Sequence, residues 1–540
     1  MVVSFRLAAA ALVAAVAVAA SACGAAAPGP SQSAAGPNTL VFGRNQDAVR
    51  LDPAIVTDGM SLNVARVTME GLTQYALGSF DVEPCLATSW TVSPDGKTWR
   101  FHLRHNVTFQ DGTAFNADAV KFNFDRWRLK DNPWHKLLQG NLEYSYYESQ
   151  FGGFPGAIRN VKVLAPDEVE LDLSQTVAPI LANLAMPAFG MSSPTAMKKA
   201  GEEYFRQPIG TGPYMVTEWV KDDHITLSAY PGYWGPKPKI ATIILRDIPD
   251  PSTSMLALQK GDIDGWEYPR PDDISTLSND DNLTVYHQPP NNLLYLAINV
   301  QKPPLTNVLV RRAINEAIDA NAIVRNFYDP SAKVATDFLP LAVWPHPSRT
   351  SYPYDPADAR RLLAQAGFPH GFSTTLWYMT TPRPYVAEPQ RVAEAIQADL
   401  RAVGINATLQ GFEWGPFLDK IESGQHDLAL AGWSGDNGDP DNFLYALLDK
   451  DSAVPPGAQN VTFWKDEHFH QLMIAAQSTT DRSERAKYYL EALQLVHDQA
   501  PTVPLVHTGP PIVFKRSVLG YIPNPDNSEP FQSMSIVREN

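Results

Sequence analysis

The sequence predicts a two-lobed α/β fold, and three observations carry that expectation. Strand-like alternation marks the first half of the chain and amphipathic helices mark the second. Neither pattern is interrupted by repeats or low-complexity sequence after residue 38. A chain of 540 residues has room for two or three domains. Two regions with different mixtures of elements suggest two lobes, and the cleft between lobes is where a ligand is first sought.

The strands follow a period of two. Lys97 to Arg104 sets Trp99, Phe101 and Leu103 against Arg100, His102 and Arg104. Glu168 to Leu173 sets Val169, Leu171 and Leu173 against Glu168, Glu170 and Asp172, and His224 to Ala229 alternates in the same way. The helices follow a period of 3.6. Val308 to Phe327 carries Leu309, Ala313, Ile314, Ala317 and Ile318 on one face. Glu388 to Val403 carries Val392, Ala395, Ile396, Leu400 and Val403. Arg482 to His497 turns Ala486, Tyr489, Leu490, Leu493 and Val496 inward, with Asp481 as its N-cap and Glu484 three residues on.

The N-terminus points outside the cytoplasm. Arg6, an apolar run from Leu7 to Ala20, and Ser21-Ala22 before Cys23 make a secretory signal over residues 1–22. The apolar run is shorter than the roughly 20 residues a membrane span needs. Small residues before a cysteine resemble a bacterial lipobox, with Ala20 where leucine is usual; the resemblance implies lipidation of Cys23. Residues 23–38 then form an uncharged tether of Ala, Gly, Pro, Ser and Gln. A lipidated protein would sit on the extracytoplasmic face of the cell membrane. Cys85 is the other cysteine, so no intramolecular disulfide is expected in the processed chain. The full chain has a net charge of −15, and losing the leader removes Arg6 and no acidic residue. That balance, with no basic run, argues against nucleic acid as a partner.

Enzyme motifs fail one by one. Gly432-Trp433-Ser434-Gly435-Asp436 lacks the final glycine of a nucleophile elbow. Gly210-Thr211-Gly212-Pro213 continues into proline where a dinucleotide loop needs helical N–H groups, and no P-loop is present. Glu467-His468-Phe469-His470 has the wrong spacing for a zinc helix, and the acidic run from Asp436 to Asp441 has its glycine misplaced for a calcium loop. The expectation is a binding protein, not an enzyme, with no cofactor and no bound metal.

Several segments together resemble family 5 of the extracellular solute-binding proteins, which serve importers of peptides, nickel and related solutes. They are Asp95 to Arg104 with Val107 to Thr113, Pro208 to Tyr214, Leu258 to Asp264, and Val310 to Asn315. The resemblance implies a two-lobed periplasmic-binding-protein-like fold of type II, with an extra subdomain inserted in the first lobe. The expected division is 39–79, 208–291 and 505–540 for lobe I, 80–207 for the insertion, and 292–504 for lobe II. The chain would cross between lobes near Gln288 to Leu296 and again near Pro501 to His507. Gly210, Gly212 and Pro213 read as a sharp bend.

Two further segments resemble the dipeptide-binding members of that family: Gly432 to Phe443, and Arg383-Pro384-Tyr385 ahead of Arg391 to Gln397. The resemblance implies that Asp436 takes a peptide's α-ammonium and Arg383 its carboxylate, with Tyr385 nearby. It implies that Gly432, Trp433 and Ser434 offer backbone groups to an extended peptide. Thr57, Asp58, Gly59 and Met60 would present the first lobe's backbone. Trp414 and Trp344 are expected in the core, with the lining of a side-chain pocket as the alternative for both. The chemistry agrees, because a short peptide is a zwitterion and each buried charge needs an opposite partner. The expected partners are a short peptide and the membrane subunits of an ABC import permease, with the lipid holding a monomer to the membrane. The alternative ligand is haem or a metal chelate; an extracytoplasmic enzyme or adhesin is the alternative of another class.

Overall fold

The computed structural model describes residues 38–136, 144–348 and 351–538. The expected signal peptide, Cys23 and nearly all of the expected tether lie outside the described residues.

Three larger sheets organise the described chain. The first is four-stranded and antiparallel, in the order Ala87–Val92, Thr98–Leu103, Glu168–Leu173, Ile158–Ala165. Its register sets Trp99 opposite Leu171 and Phe101 opposite Val169, so the two alternating segments read from the sequence are neighbours. Trp99, Phe101, Val169 and Leu171 are buried together with Phe124, Trp127 and Phe189. On the other face Glu170 is shielded by Arg100 at 2.6 Å and Lys162 at 2.9 Å, which explains how a carboxylate on the polar face comes to be buried.

The second sheet has seven strands and gathers both ends of the described chain. Thr39–Arg44 lies parallel to Thr242–Asp247 and Gly265–Glu267, and Pro511–Lys515 pairs antiparallel with Gly265–Glu267 and Leu283–His287. The third sheet has six strands, ordered Lys333–Val334, Thr502–His507, Asn292–Ile298, Leu428–Ser434, Phe372–Met379, Ile405–Phe412. Phe372–Met379 and Ile405–Phe412 are parallel and joined through the helix Pro389–Ala402, a βαβ unit whose helix buries Val392, Ile396 and Leu400.

The chain passes from the second sheet to the third at 288–291 and returns at 508–510. The two passages are tied together: Gln288 N donates to Pro510 O at 3.1 Å, and Thr508 N donates to Asn292 Oδ1 at 2.9 Å. The expected edge at 504 therefore moves. Thr502–His507 stays in the third sheet to its last residue, where His507 pairs with Lys333 and its Nδ1 meets Asn292 O at 2.8 Å.

Three other sequence expectations are corrected. The run 308–327 is two helices, Val308–Ala317 and Ala320–Phe327, because Ile318 is extended and Asp319 accepts from Ala322 N at 2.9 Å, capping the second helix. On the helix Arg482–Gln499, Asp481 caps Ser483 N and Glu484 N as expected, while Leu490 is exposed and Ala492 is buried in the core. Gly210 and Gly212 serve close approach rather than backbone freedom. A Cβ on either would lie within 2.6 Å of Thr68 backbone atoms, where Gln110 Nε2 also reaches Thr68 O at 3.0 Å.

Candidate functional site

A cavity of about 670 Å³ opens between elements attached to the two larger sheets. The last four residues of the strand Leu428–Ser434, from Ala431 on, line it. Along 292–298 this strand is paired for its full length, from Asn292↔Ser434 to Ile298↔Leu428. On its other side the pairing with Phe372–Met379 stops at Ala429. The edge from Leu430 to Ser434 thus has no strand partner on that side among the described residues, and Gly432, Trp433 and Ser434 line the cavity there. Unpaired backbone at a sheet edge is the arrangement that accepts an extended chain.

Asp436 follows that strand and lines the same cavity. Its Oδ2 accepts from Asn442 Nδ2 at 2.8 Å and its Oδ1 from Tyr146 OH at 3.3 Å, while its own N–H donates to Asn442 Oδ1 at 3.0 Å. Trp433 Nε1 donates to the same Asn442 oxygen at 3.1 Å. All these donors are neutral. Burial raises the Asp436 carboxyl above its ordinary range, and the Asn442 and Tyr146 hydrogen bonds offset only part of that. Among the described residues no cation pairs with it.

Arg383 lies in the turn between Phe372–Met379 and Pro389–Ala402. Arg383 N donates to Val386 O at 2.8 Å and Val386 N to Arg383 O at 2.9 Å, which closes the turn around Pro384 and Tyr385. Thr508 Oγ1 donates to Pro384 O at 3.0 Å and Tyr328 OH to Tyr385 O at 3.0 Å, fixing the turn from outside. The Arg383 guanidinium carbon sits 3.5 Å from the centre of the Trp414 ring, a cation–π platform. Its Nε is buried without a hydrogen-bond partner, and desolvation lowers its pKa from the usual guanidinium value. Among the described residues no carboxylate pairs with it. The Tyr385 ring is pressed against Gly432, where a Cβ would come within 2.4 Å of it, so a side chain at 432 would push Tyr385 aside. Burial raises the Tyr385 hydroxyl to about 12.

Thr57, Asp58, Gly59 and Met60 line the same cavity. Asp58 also caps the helix Gly59–Thr68 by accepting from Ser61 N at 2.8 Å, and a Cβ on Gly59 would meet nothing within 4 Å. All ten residues singled out as a binding site therefore meet at one cavity. Sequence reasoning missed Tyr146, and of the two places open to Trp414 the structure takes the alternative: it is a partly buried platform in the cavity wall rather than a core residue. Trp344 is partly buried and packs edge-on against Tyr489, 5.9 Å between ring centres. Asn442 lies inside the Gly432 to Phe443 segment, where the resemblance implies no role for it; its position in the first turn of the helix Asp441–Leu448 lets it hold Asp436. Tyr146 lies 290 residues from its partner, and no local pattern announces that contact.

Among the described residues one group of side chains has the make-up of a metal site. Asp449, Asp451 and His470 have ligand atoms within 4.8 Å of one another, but Asp449 already accepts from Asp451 N at 2.9 Å and meets His470 Nδ1 at 3.0 Å. The trio does not line the cavity. Among the described residues no helix is long and apolar enough to cross a membrane.

A mixed α/β fold on two large sheets, with a charged cavity between them, defines the class of the periplasmic binding proteins. Within that class, the chain belongs to the bacterial extracellular solute-binding proteins, family 5, whose central region matches residues 81–454. It is similar to a dipeptide-binding protein of Escherichia coli K12, 37% identical over 511 residues covering 92% of this chain and 94% of that one. It is also similar to heme-binding protein A of Haemophilus influenzae, 32% identical over 512 residues and 92% of each chain. Among solved structures, the ABC transporter-associated periplasmic binding protein DppA of Helicobacter pylori, in complex with the peptide STSA, superposes with a TM-score of 0.78. It shares 33% identity and the match covers 93% of this chain and 98% of that one.

Proposed function

We propose that this protein captures short peptides outside the cytoplasm and delivers them to an ABC import permease. One observation carries the reading: a carboxylate, Asp436, and a guanidinium, Arg383, line one cavity, each partly buried and each without a counter-ion among the described residues. A desolvated, unpaired charge is costly to keep in a folded protein. Two of opposite sign in one slot fit a zwitterion, with the ammonium on Asp436 and the carboxylate gripped by Arg383 above Trp414. The free edge at Leu430 to Ser434 adds main-chain hydrogen bonds that do not depend on side-chain identity. The relatives that bind peptides support the same assignment.

In this reading residues 39–79, 208–291 and 508–540 act as lobe I, 80–207 as its inserted subdomain and 292–507 as lobe II. Ligand binding favours the closed arrangement in proportion to its differential affinity for it. The protein works as a monomer, lipidated at Cys23 and held to the outer face of the membrane, and its task is capture rather than catalysis. The similarity to heme-binding protein A supports haem as a second ligand class for the same cavity.

Native mass spectrometry of the purified protein, alone and with a peptide library, tests the proposal. Bound masses of two to five residues are expected. A haem or metal mass that peptides fail to displace would refute peptide capture and favour the second ligand class.

A further inference from the structure

The peptide reading leaves one charge in the cavity without a task. The described lining holds six charged side chains: Asp58, Arg66, Arg383, Glu422, Asp436 and Asp526. Arg66 and Asp526 form an ion pair with each other, and Asp58 caps a helix. Asp436 and Arg383 are assigned to the two ends of the peptide. Glu422 is left, and among the described residues it has neither a cationic partner nor a hydrogen bond to its carboxylate.

Its setting is specific. Glu422 ends the helix Trp414–Glu422, on which Trp414, Phe417, Leu418 and Ile421 recur at the spacing of one helical face and all line the cavity. At 1.5 Å per residue, the helix places Glu422 about 12 Å along its axis from Trp414, the platform under Arg383. Leu447, Ala458 and Val461 continue the apolar wall around that end. The cavity therefore offers an apolar slot that begins near the Arg383 guanidinium and finishes at a carboxylate. Burial pushes that carboxyl above its ordinary range, with repulsion from Asp419 a smaller contribution.

We propose that this slot is a subsite for a basic side chain, so that the protein prefers peptides containing lysine or arginine. The methylenes of such a side chain would lie along Phe417, Leu418 and Ile421, and its cationic head would reach Glu422. The charges then match one for one: ammonium on Asp436, basic head on Glu422, carboxylate on Arg383. The inference rests on the peptide reading above.

Isothermal titration calorimetry with alanine tripeptides, substituted at each position in turn by lysine or its neutral isostere norleucine, tests it. The wild-type protein is expected to bind lysine over norleucine by roughly tenfold at one position. Glu422→Gln is expected to remove that preference, and a circular dichroism spectrum and urea unfolding midpoint like those of the wild type show that the variant is folded. Equal affinity for lysine and norleucine at every position, or a preference that survives Glu422→Gln, overturns the subsite and leaves peptide capture standing. Failure of every tripeptide to bind overturns both.

Discussion

Asp436 and Asp439 stand three residues apart in one loop and meet opposite fates. Asp439 is gripped by Arg485 through two bonds of 2.7 Å, and Arg485 also donates to Tyr489 OH at 2.6 Å. Its charge is spent inside the protein. Asp436 receives only the neutral donors of Asn442 and Tyr146 and faces the cavity. Around them Asn437 donates to Asn183 Oδ1 at 2.7 Å, and Gly438, with φ of 65°, lies under Phe80 where a side chain would clash. The contrast teaches how a binding protein keeps a charge available. One carboxylate anchors the loop rigidly so that the next can stay unpaired without collapsing onto a neighbour.

The strongest way to break the comparison is Arg485→Met. It strands the buried Asp439 without its counter-ion and is expected to lower the free energy of unfolding by about 3–5 kcal/mol in urea titrations. Adding Asp439→Asn should recover part of the loss. Asp436→Ala should do the reverse: unfolding changes by no more than about 1 kcal/mol, because a desolvated charge is removed. Peptide affinity should fall by about 2–5 kcal/mol, read by calorimetry. The wild-type protein should also release protons on binding peptide as the pH falls towards the raised pKa of Asp436, since the ammonium holds the carboxylate ionised. Affinity should weaken with decreasing pH, and titrations in two buffers of different ionisation enthalpy check the sign.

Asp441 sharpens the comparison on a smaller scale. It is held by Gln477 Nε2 at 2.9 and 3.0 Å, and burial together with the charge of Asp439 raises its carboxyl from 3.8 to about 7. The folded protein keeps this proton where the unfolded chain has lost it. Its contribution to stability is therefore present at low pH and lost as the pH rises from 3.8 to about 7. Asp441→Asn should flatten the fall in stability across that window by at most about 1.4 kcal/mol per pH unit. The smallest effect is expected at the exposed pair of Arg482 and Asp81, 3.3 Å apart. Asp81→Ala should change the unfolding free energy by less than about 0.5 kcal/mol, and less still in high salt.

Much of the fold was legible in the sequence because it depends on near neighbours. The alternation at 97–104 and 168–173 marks strands whose inward residues pack in one core. The spacing at 388–403 marks a helix, and Asp481 marks where another begins. The same rules misread 308–327, where an apolar period hid the capping role of Asp319. The candidate site was legible for a different reason. Asp436 and Arg383 each sit in a short motif that resembles a known family, and resemblance supplied roles that composition and spacing do not contain.

By itself, then, the sequence determined the local elements, the family resemblance and the chemical types available for a site. Tertiary structure decided which of those charges are free. Asp439 is neutralised by a residue 46 positions later, Asp436 is steadied by one 290 positions earlier, and Trp414 leaves the core to support Arg383. Periodicity reports the environment of a residue relative to its own turn or strand. Whether a charge finds a partner depends on contacts between distant segments, and those exist only once the chain has folded.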